Sequence, residues 1–268
     1  MDIGEIIKTG FTYPTKNWMN LVILGIIFVI ISLIGRVGSY TNQTAIIVIA
    51  LIVSIILAII LQGYKIEIIG EGVKGSSDIP LLNTDNFLTG IKSILVSIVY
   101  YIIPAIIVTI VGLAVSYSVG VNELMRYATS LQYASMNPAM ANATFNSLPV
   151  SFVSNLFTAT ITLGVIAFIL FFIFSIFELT AQGKLAETGS LKEAVGMKTV
   201  IAKVGSIGWL KIIAFLIISV IIVTIVLFIG GLLLIIPIIG PIIFALVIVP
   251  FVFLYQFYSV GLLYASDE

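Results

Sequence analysis

Two groups of carboxylate residues are the strongest candidates for chemistry in this sequence. The members of the two groups are Glu67, Glu71, Asp78 and Asp85, and Glu178, Glu187 and Glu193. Carboxylates from two facing loops could hold Mg²⁺ and support phosphoryl chemistry on a lipid headgroup. Lysines are interleaved with both groups, however, and mixed charge of this kind is typical of a solvated face. We therefore favour a solvated face over a metal site.

A glycine-rich segment, Gly70–Gly75, matches the pattern G-x-G-x-x-G of dinucleotide-binding proteins. That fingerprint needs a strand, a helix and a second strand within about 30 residues, with an acidic ribose ligand about 20 residues later. Here an apolar run begins before a second strand can form, and Asp85 lies too close to serve as the ligand. We predict that the segment continues a helix that breaks at the glycines, and that no cofactor binds.

Composition excludes several other kinds of site. The chain has no cysteine and no histidine, which excludes disulfides, thiolate metal sites and thiol nucleophiles. The net charge is zero, so nucleic acid is not an expected partner. Charged residues form 9% of the chain and apolar residues 60%, whereas water-soluble domains average about 25% and about 45–50%. These values are typical of a chain that lies in a lipid bilayer, so membrane lipids are expected partners.

Long stretches without charged residues predict the helices that must position the carboxylate residues named above. The uncharged stretches are 17–35, 37–64, 93–122, 127–177 and 212–266. A spanning helix needs about 20 apolar residues, and the last stretch is long enough for two, with Pro237–Pro241 as the turn. The predicted spans are 18–34, 45–61, 94–119, 152–177, 212–236 and 241–264, with kinks at Pro104 and Pro250. The predicted fold is an all-α integral membrane protein, with residues 1–268 forming a single domain.

The distribution of basic residues between alternate connections predicts the orientation. The connections on one side of the membrane contain all ten lysines, and those on the other side contain only Arg36 and Arg126. The lysine-rich side is expected to be cytoplasmic, so both termini of this multi-pass protein of the cell membrane should be cytoplasmic. Two N-x-T triplets, beginning at Asn42 and Asn142, fall on the opposite side and are candidate glycosylation sites. The segment 122–147 is expected to be a long outer loop.

An amphipathic stretch precedes each of the first, third and fifth spans. The first lies within residues 2–13, the second begins near Asp85, and the third opens with a capping box at Ser190–Glu193 and continues to Val204. Helices of this kind lie in the headgroup plane. We therefore predict three hairpins of transmembrane helices, each preceded by a cytoplasmic interfacial helix. The candidates for lipid contact are three lysines of the third stretch, Lys192, Lys198 and Lys203.

Short motifs on the predicted cytoplasmic connections resemble those of a known family. They are Tyr13-Pro14, Asn17-Trp18, Gly63-Tyr64, Ile79-Pro80, Gly90-Ile91-Lys92, the run GKLAETGSLKEA at 183–194, and Gly208-Trp209. As a set they resemble the archaeal multi-pass membrane proteins grouped as domain of unknown function 4013. The segment Leu81–Thr84 departs from that family, which is usually more acidic and aromatic there. The resemblance implies no biochemical role and no catalytic residues, because no role is established for the family.

The predicted spans contain no ionisable side chain, although proton-coupled transporters, pumps and voltage sensors normally carry such groups. Asn155, Thr158 and Thr162 share one helical face, which could line a polar passage but is more typical of packing between helices. We favour a non-enzymatic protein that acts by interaction, either assembling with an unidentified membrane protein partner or organising lipid. The alternative is a passive or facilitated transporter of a small uncharged or amphipathic solute. A headgroup enzyme is the third hypothesis.

Overall fold

A computed structural model describes residues 1–37, 41, 43–134 and 137–266 of the chain. These residues are almost entirely helical and include no strand, as the composition predicts. Within the described residues, six helices are long and apolar enough to cross a membrane. They are Trp18–Gly35, Thr44–Lys74, Asn86–Val119, Val150–Thr188, Trp209–Ile235 and Ile239–Tyr264. Six helices of the required length and apolarity are therefore present in the described part of the chain, as the sequence predicts.

The described residues form twelve α-helices and three short irregular turns. The helices of the first half are α1 (Ile3–Thr12), α2 (Trp18–Gly35), α3 (Thr44–Lys74), α4 (Asn86–Val119), α5 (Val121–Ala134) and α6 (Pro138–Asn146). Those of the second half are α7 (Val150–Thr188), α8 (Leu191–Ala194), α9 (Met197–Ile207), α10 (Trp209–Leu232), α11 (Ile239–Ile243) and α12 (Val249–Tyr264). Tyr13–Lys16 and Leu233–Ile235 are 3₁₀ turns, and Phe244–Ile248 is a π turn.

Side-chain caps explain where several helices begin. The carboxylate of Asp2 accepts a bond from the Glu5 amide at 2.7 Å, and the Asn17 side chain caps α2 in the same way at 3.1 Å. Ser190 caps α8, as the predicted capping box requires. These side chains satisfy amide groups that have no partner inside the helix.

Three of the spanning helices are longer than the apolar runs that they contain. The second predicted span ends at residue 61, but α3 continues through Gly70 and Gly72 to Lys74. Its end is set by Gly75, whose φ of 67° is left-handed and which closes the helix. No strand precedes the glycines, and the segment continues a helix as predicted, but the helix does not break at Gly70 or Gly72 and ends only at Gly75. Charged side chains do not end a helix, and this is why the apolar pattern underestimates its length.

The predicted interfacial stretches differ from one another in the structure. The second is not a separate element, because residues from Asn86 onward form the first turns of α4. The third is split at Gly196 into α8 and α9, and its apolar residues Val200 and Val204 are buried against protein. The first is α1, which packs against α12. The apolar faces of α1 and α9 therefore contact protein over much of their length.

The first compact unit comprises Met1–Val99 and Ile176–Glu268. Helix α12 packs chiefly against α3 and α1, and less extensively against α2 and α10. Close approach of α12 to α3 depends on two glycines, since a Cβ added to Gly72 would lie 2.9 Å from the Cα of Gly261. The largest buried side chains of this unit lie near the charged ends of the helices, and examples are Tyr13, Tyr64 and Tyr264. The most apolar windows of the six spanning helices are only 0–22% buried.

The second compact unit comprises residues Tyr100–Ser175. The prediction of a long loop at 122–147 is wrong, because this segment forms most of α5 and α6, which pack on each other. The segment contains five alanines and three methionines, which are good helix formers. Pro138 occupies the first turn of α6, where its missing N–H is tolerated. Arg126 of α5 bonds to the end of α6 by donating to the Ser147 hydroxyl at 2.7 Å.

Prolines shape the chain around the last span. The predicted turn at Pro237–Pro241 is present, and Ile238 has a φ of 69° and a ψ of −60° there. The Ile239 amide donates to the Pro237 carbonyl at 2.8 Å, which closes a γ-turn. A π turn, Phe244–Ile248, directly precedes α12, and Pro250 lies in the first turn of that helix. Helix α4 continues through Pro104.

Candidate functional site

Four side chains hold the connection between α3 and α4 in the first unit. Tyr13, Asn20, Tyr64 and Tyr258 each donate a hydrogen bond to a backbone carbonyl of this connection. The acceptors are, in the same order, Asp78 at 2.6 Å, Ile79 at 2.6 Å, Pro80 at 3.0 Å and Ser76 at 2.8 Å. We call these four donors the clamp residues. They satisfy carbonyls of a segment that has no secondary structure of its own.

Tyr13 is a clamp residue that is almost fully shielded from water. Only 1% of this residue is exposed. Burial raises the pKa of the Tyr13 hydroxyl well above its usual range, and the neighbouring Tyr64 and the negative charge of Glu71 act in the same direction. The hydroxyl therefore keeps its proton and remains a hydrogen-bond donor to the Asp78 carbonyl.

A polar cavity of about 330 Å³ lies beside the clamped connection. Its wall includes the carboxylates Glu67 and Asp85, and the amide of Asn86 donates to Glu67 at 2.8 Å. The remaining carboxylates singled out in the sequence do not line this cavity. Among the described residues, no group of three or more Asp, Glu, His or Cys residues could hold a metal ion. The geometry gives the magnesium hypothesis no support.

Helices α4 and α7 are joined by a buried polar network that the sequence did not reveal. The Gln182 side chain lies at its centre and is 2% exposed. Its amide donates to Ser97 at 3.0 Å and to Glu178 at 2.7 Å, and its carbonyl accepts from Ser93 at 3.0 Å. Ser97 also donates to Glu178 at 2.7 Å. Glu178 is thus bound to hydroxyl and amide donors and does not project into solvent as a free carboxylate.

Lys65 is a buried cation on α3, close to the end of the predicted second span. Only 9% of the residue is exposed, and its ammonium group lies 5.8 Å from the centroid of the Phe257 ring. The interleaved charges predicted a solvated face here, but α3 carries Lys65 into the packed end of the unit. Buried lysines are costly unless other charges or rings compensate them.

The motif at 183–194 forms a second cluster at the ends of α7, α9 and α12. Glu187 accepts from the Lys184 ammonium at 2.8 Å and from the Tyr264 hydroxyl at 2.7 Å. The Lys203 ammonium lies 4.3 Å from the centroid of the Tyr264 ring. Gly183 leaves space for that ring, since a Cβ there would meet it. These contacts explain why the motif needs glycine, lysine and glutamate at this spacing.

The candidate site residues predicted from the sequence do not form a single site in the structure. Lys192 and Lys198 are exposed, whereas Lys203 is half-buried over Tyr264. Asn142 lies exposed on α6, and Asn42 falls outside the described residues. The polar residues predicted to pack between helices or to line a passage are also exposed, and they are Asn155, Thr158 and Thr162.

Many polar side chains at this end of the first unit bond to one another or to backbone carbonyls, as the clamp and the Gln182 network show. The buried hydroxyls of Tyr255 and Ser259 on α12 are exceptions and have no hydrogen-bond partner among the described residues. The bonded groups fix the mutual positions of helix ends. The signal available in the sequence was the set of Tyr-Pro, Gly-Tyr and Ile-Pro pairs, whose members meet at this connection.

Comparison with known proteins identifies one family. The family model described as "Protein of unknown function (DUF4013)" matches residues 46–235. The match is narrower than the resemblance over nearly the whole chain that the motifs suggested, since it omits the segment with Tyr13-Pro14. No curated protein and no solved structure matches the chain. Because the matched residues form well over half of the sequence, the chain belongs to the DUF4013 family of proteins of unknown function.

Proposed function

We propose that this chain is an archaeal multi-pass protein of the cell membrane that has no enzymatic activity and acts by interaction. It either assembles with a membrane protein partner or organises lipid around its helices. One observation carries the proposal. The most apolar windows of the spanning helices are 0–22% buried, while the charged ends of the first unit are tightly packed.

The exposed surface of the spans is what an interacting membrane protein presents. Large apolar side chains point away from the protein, such as Leu51 at 59% exposure, Phe168 at 71% and Phe228 at 70%. A soluble protein rarely exposes apolar patches of more than a few hundred Å². In a bilayer these side chains meet lipid tails or the helices of a partner, since association there depends on packing.

At the charged ends of the helices in the first unit, side-chain contacts hold the spanning helices in fixed positions. The clamp residues, the Gln182 network and the cluster around Tyr264 tie α3, α4, α7 and α12 together. These contacts fix the helix ends relative to one another, which is what an assembling role requires of this end of the unit.

The orientation that fits this role places the lysine-rich end in the cytoplasm. The excess of basic residues on that side supports cytoplasmic termini. In this orientation α1 and the α8–α9 segment lie at the inner face, before the first and third helical hairpins, and Lys192 and Lys198 remain available to anionic headgroups. Asn42 and Asn142 would then lie on the outer side.

Photo-crosslinking in native membranes, combined with flux assays on the pure protein, tests the proposal. A photoreactive residue replacing Phe168 should crosslink to lipid or to another membrane protein, whereas the same residue replacing Phe215, which is 0% exposed, should react only within the chain. Liposomes containing the purified chain should show no more solute flux than empty liposomes. Flux of a small uncharged solute through the pure protein would contradict the proposal and favour the transporter alternative.

A further inference from the structure

An apolar cavity of about 630 Å³ lies in the first unit, between α2 and the segment that leads into α12. Its lining includes Phe28, Ser32 and Leu234, together with Phe244 and Ala245 of the π turn. The volume falls within the range of about 300–1,000 Å³ that is usual for ligand sites. We call this cavity the α2 groove. It is separate from the polar cavity beside the clamp and shares no residue with it.

One end of the α2 groove carries a cation. Arg36 lies just after the last turn of α2, lines the groove and is exposed. Among the described residues, no carboxylate lies within ion-pair distance of its guanidinium. A guanidinium at the end of an apolar groove matches an amphiphile with an anionic head, because it can hold phosphate or carboxylate oxygens with two parallel bonds.

Two irregular backbone segments shape the opposite wall. The π turn Phe244–Ile248 supplies three of the lining residues, and single π turns inside helices are frequent at functional sites. The γ-turn at Ile238 lies between Leu234 and Pro241, both of which line the groove. A β-branched residue at positive φ is strained, and strain of this kind clusters at ligand sites. The groove is therefore built from segments that depart from regular helix.

We infer that the α2 groove binds an anionic membrane lipid. The hydrocarbon chain lies along the apolar wall, and the charged headgroup pairs with Arg36. A zwitterionic lipid also carries a phosphate, but its choline cation competes with the guanidinium for that phosphate, so a lipid with net negative charge is favoured. The helix of a second copy would bring no anionic group unless one of its few carboxylates reached this depth. The inference rests on the proposed membrane location, and it goes further by naming the ligand class and the residue that selects it.

Native mass spectrometry of the purified full-length chain tests the inference, with phosphatidylglycerol and phosphatidylcholine as the two probes. The unmodified protein should retain phosphatidylglycerol in preference to phosphatidylcholine. Arg36→Gln should weaken phosphatidylglycerol retention roughly fivefold, the contribution of one basic side chain near an anionic group, and should leave phosphatidylcholine unchanged. Arg126→Gln is the matched control, because it removes the other arginine, which bonds to Ser147, and it should retain the preference.

Three results would overturn the inference. The first is equal retention of the two lipids by the unmodified protein, and the second is an unchanged preference in Arg36→Gln. The third is rapid disulfide formation between copies of Ser32→Cys in a bilayer, which would make the groove a contact between two chains. The natural chain has no cysteine, so that bond can form only at the introduced site.

A variant that fills the groove gives an independent measurement. Ala245→Trp should reduce retention of both lipids, and its thermal midpoint shows whether it is folded. Release of the unmodified chain from membranes by alkaline carbonate would contradict the membrane location itself. If the chain resists extraction while Arg36→Gln has no effect, the groove inference alone fails.

Discussion

The ring of Tyr13 stacks on the ring of Tyr258, with centroids 3.7 Å apart and planes inclined by 5°. Tyr13 follows α1 at the start of the chain, and Tyr258 lies on the last helix. The two hydroxyls bond the same connection, at Asp78 and Ser76. The stacked pair therefore ties the two ends of the chain to the link between the second and third spanning helices.

Removing the Tyr13 ring should destabilise the fold more than removing its hydroxyl. Tyr13→Ala leaves a cavity beside Tyr258 and is expected to lower the free energy of unfolding by about 3–5 kcal/mol. Tyr13→Phe keeps the stack, loses one bond to Asp78 and should lower it by about 0.5–1.5 kcal/mol. Thermal midpoints in detergent measure both effects. Tyr117→Phe, at a residue that is 82% exposed, is the control and should have no effect; equal midpoints for Tyr13→Ala and Tyr117→Phe would contradict the clamp.

Alkaline pH should weaken the clamp through Tyr13. Its pKa in the folded chain is raised above the ordinary value of 10.0, so folding favours the protonated hydroxyl. The stabilisation is fully present below that value, and it is lost as the pH rises from there toward the folded pKa, because the unfolded chain then binds fewer protons. The thermal midpoint should fall above about pH 10, and the fall should be shallower in Tyr13→Phe. An identical pH profile for both proteins would exclude Tyr13 as a contributor.

The spans were predictable because each depends only on a local run of apolar residues. Their true ends were not, since α3 carries Lys65 and Glu67 as helical residues beyond the membrane-like run. Helix formation continues wherever backbone bonds are satisfied, and hydropathy reports only the apolar part. The helices α5 and α6 were not predicted, because they are polar and hydropathy reports only apolar runs.

The candidate site was predictable only in part. Tyr13-Pro14, Gly63-Tyr64 and Ile79-Pro80 marked the residues that meet at the clamp, but not which carbonyl each side chain would bond. The Gln182 network joins residues far apart in sequence, so no local spacing indicated it. The pattern Gly70–Gly75 pointed to phosphate binding, whereas Gly72 serves the close approach of α12.

The contact of Gly72 with Gly261 should not tolerate a side chain. A Cβ on Gly72 would lie 2.9 Å from the Gly261 Cα, and the obstacle is backbone that cannot rotate away. Gly72→Ala is expected to lower the free energy of unfolding by about 1–3 kcal/mol through overpacking. Gly231→Ala is the matched helical control, because no atom lies within 4 Å of its added Cβ. It should be neutral or stabilising by up to about 1 kcal/mol; the reverse order of midpoints would contradict this packing.

Substitutions of the candidate lysines should differ in their effect on stability, because the lysines differ in their contacts. Lys203 lies over the Tyr264 ring, so Lys203→Gln should destabilise the fold by about 0.5–2 kcal/mol, the range of a cation–π contact. Lys198→Gln, on the exposed side of the same helix, should leave the midpoint unchanged. The two variants differ only in position, and equal midpoints would show that the contact with Tyr264 adds no stability.

Relief of the strained turn at Ile238 should raise stability, which is unusual for a substitution to glycine. Ile238 has a φ of 69°, a conformation that disfavours a β-branched residue by about 1–3 kcal/mol. Glycine removes that strain. Because glycine is more flexible in the unfolded chain, ordering it on folding costs about 0.5–1 kcal/mol more. The Ile238 side chain is 77% exposed, so few protein contacts disappear when it is removed.

Ile239→Gly is the matched control, because this neighbour is 59% exposed, begins α11 and does not have positive φ. The midpoint of Ile238→Gly should therefore exceed that of Ile239→Gly, by the equivalent of about 1–3 kcal/mol. A lower midpoint for Ile238→Gly than for Ile239→Gly would show that the γ-turn stores no strain beside the α2 groove.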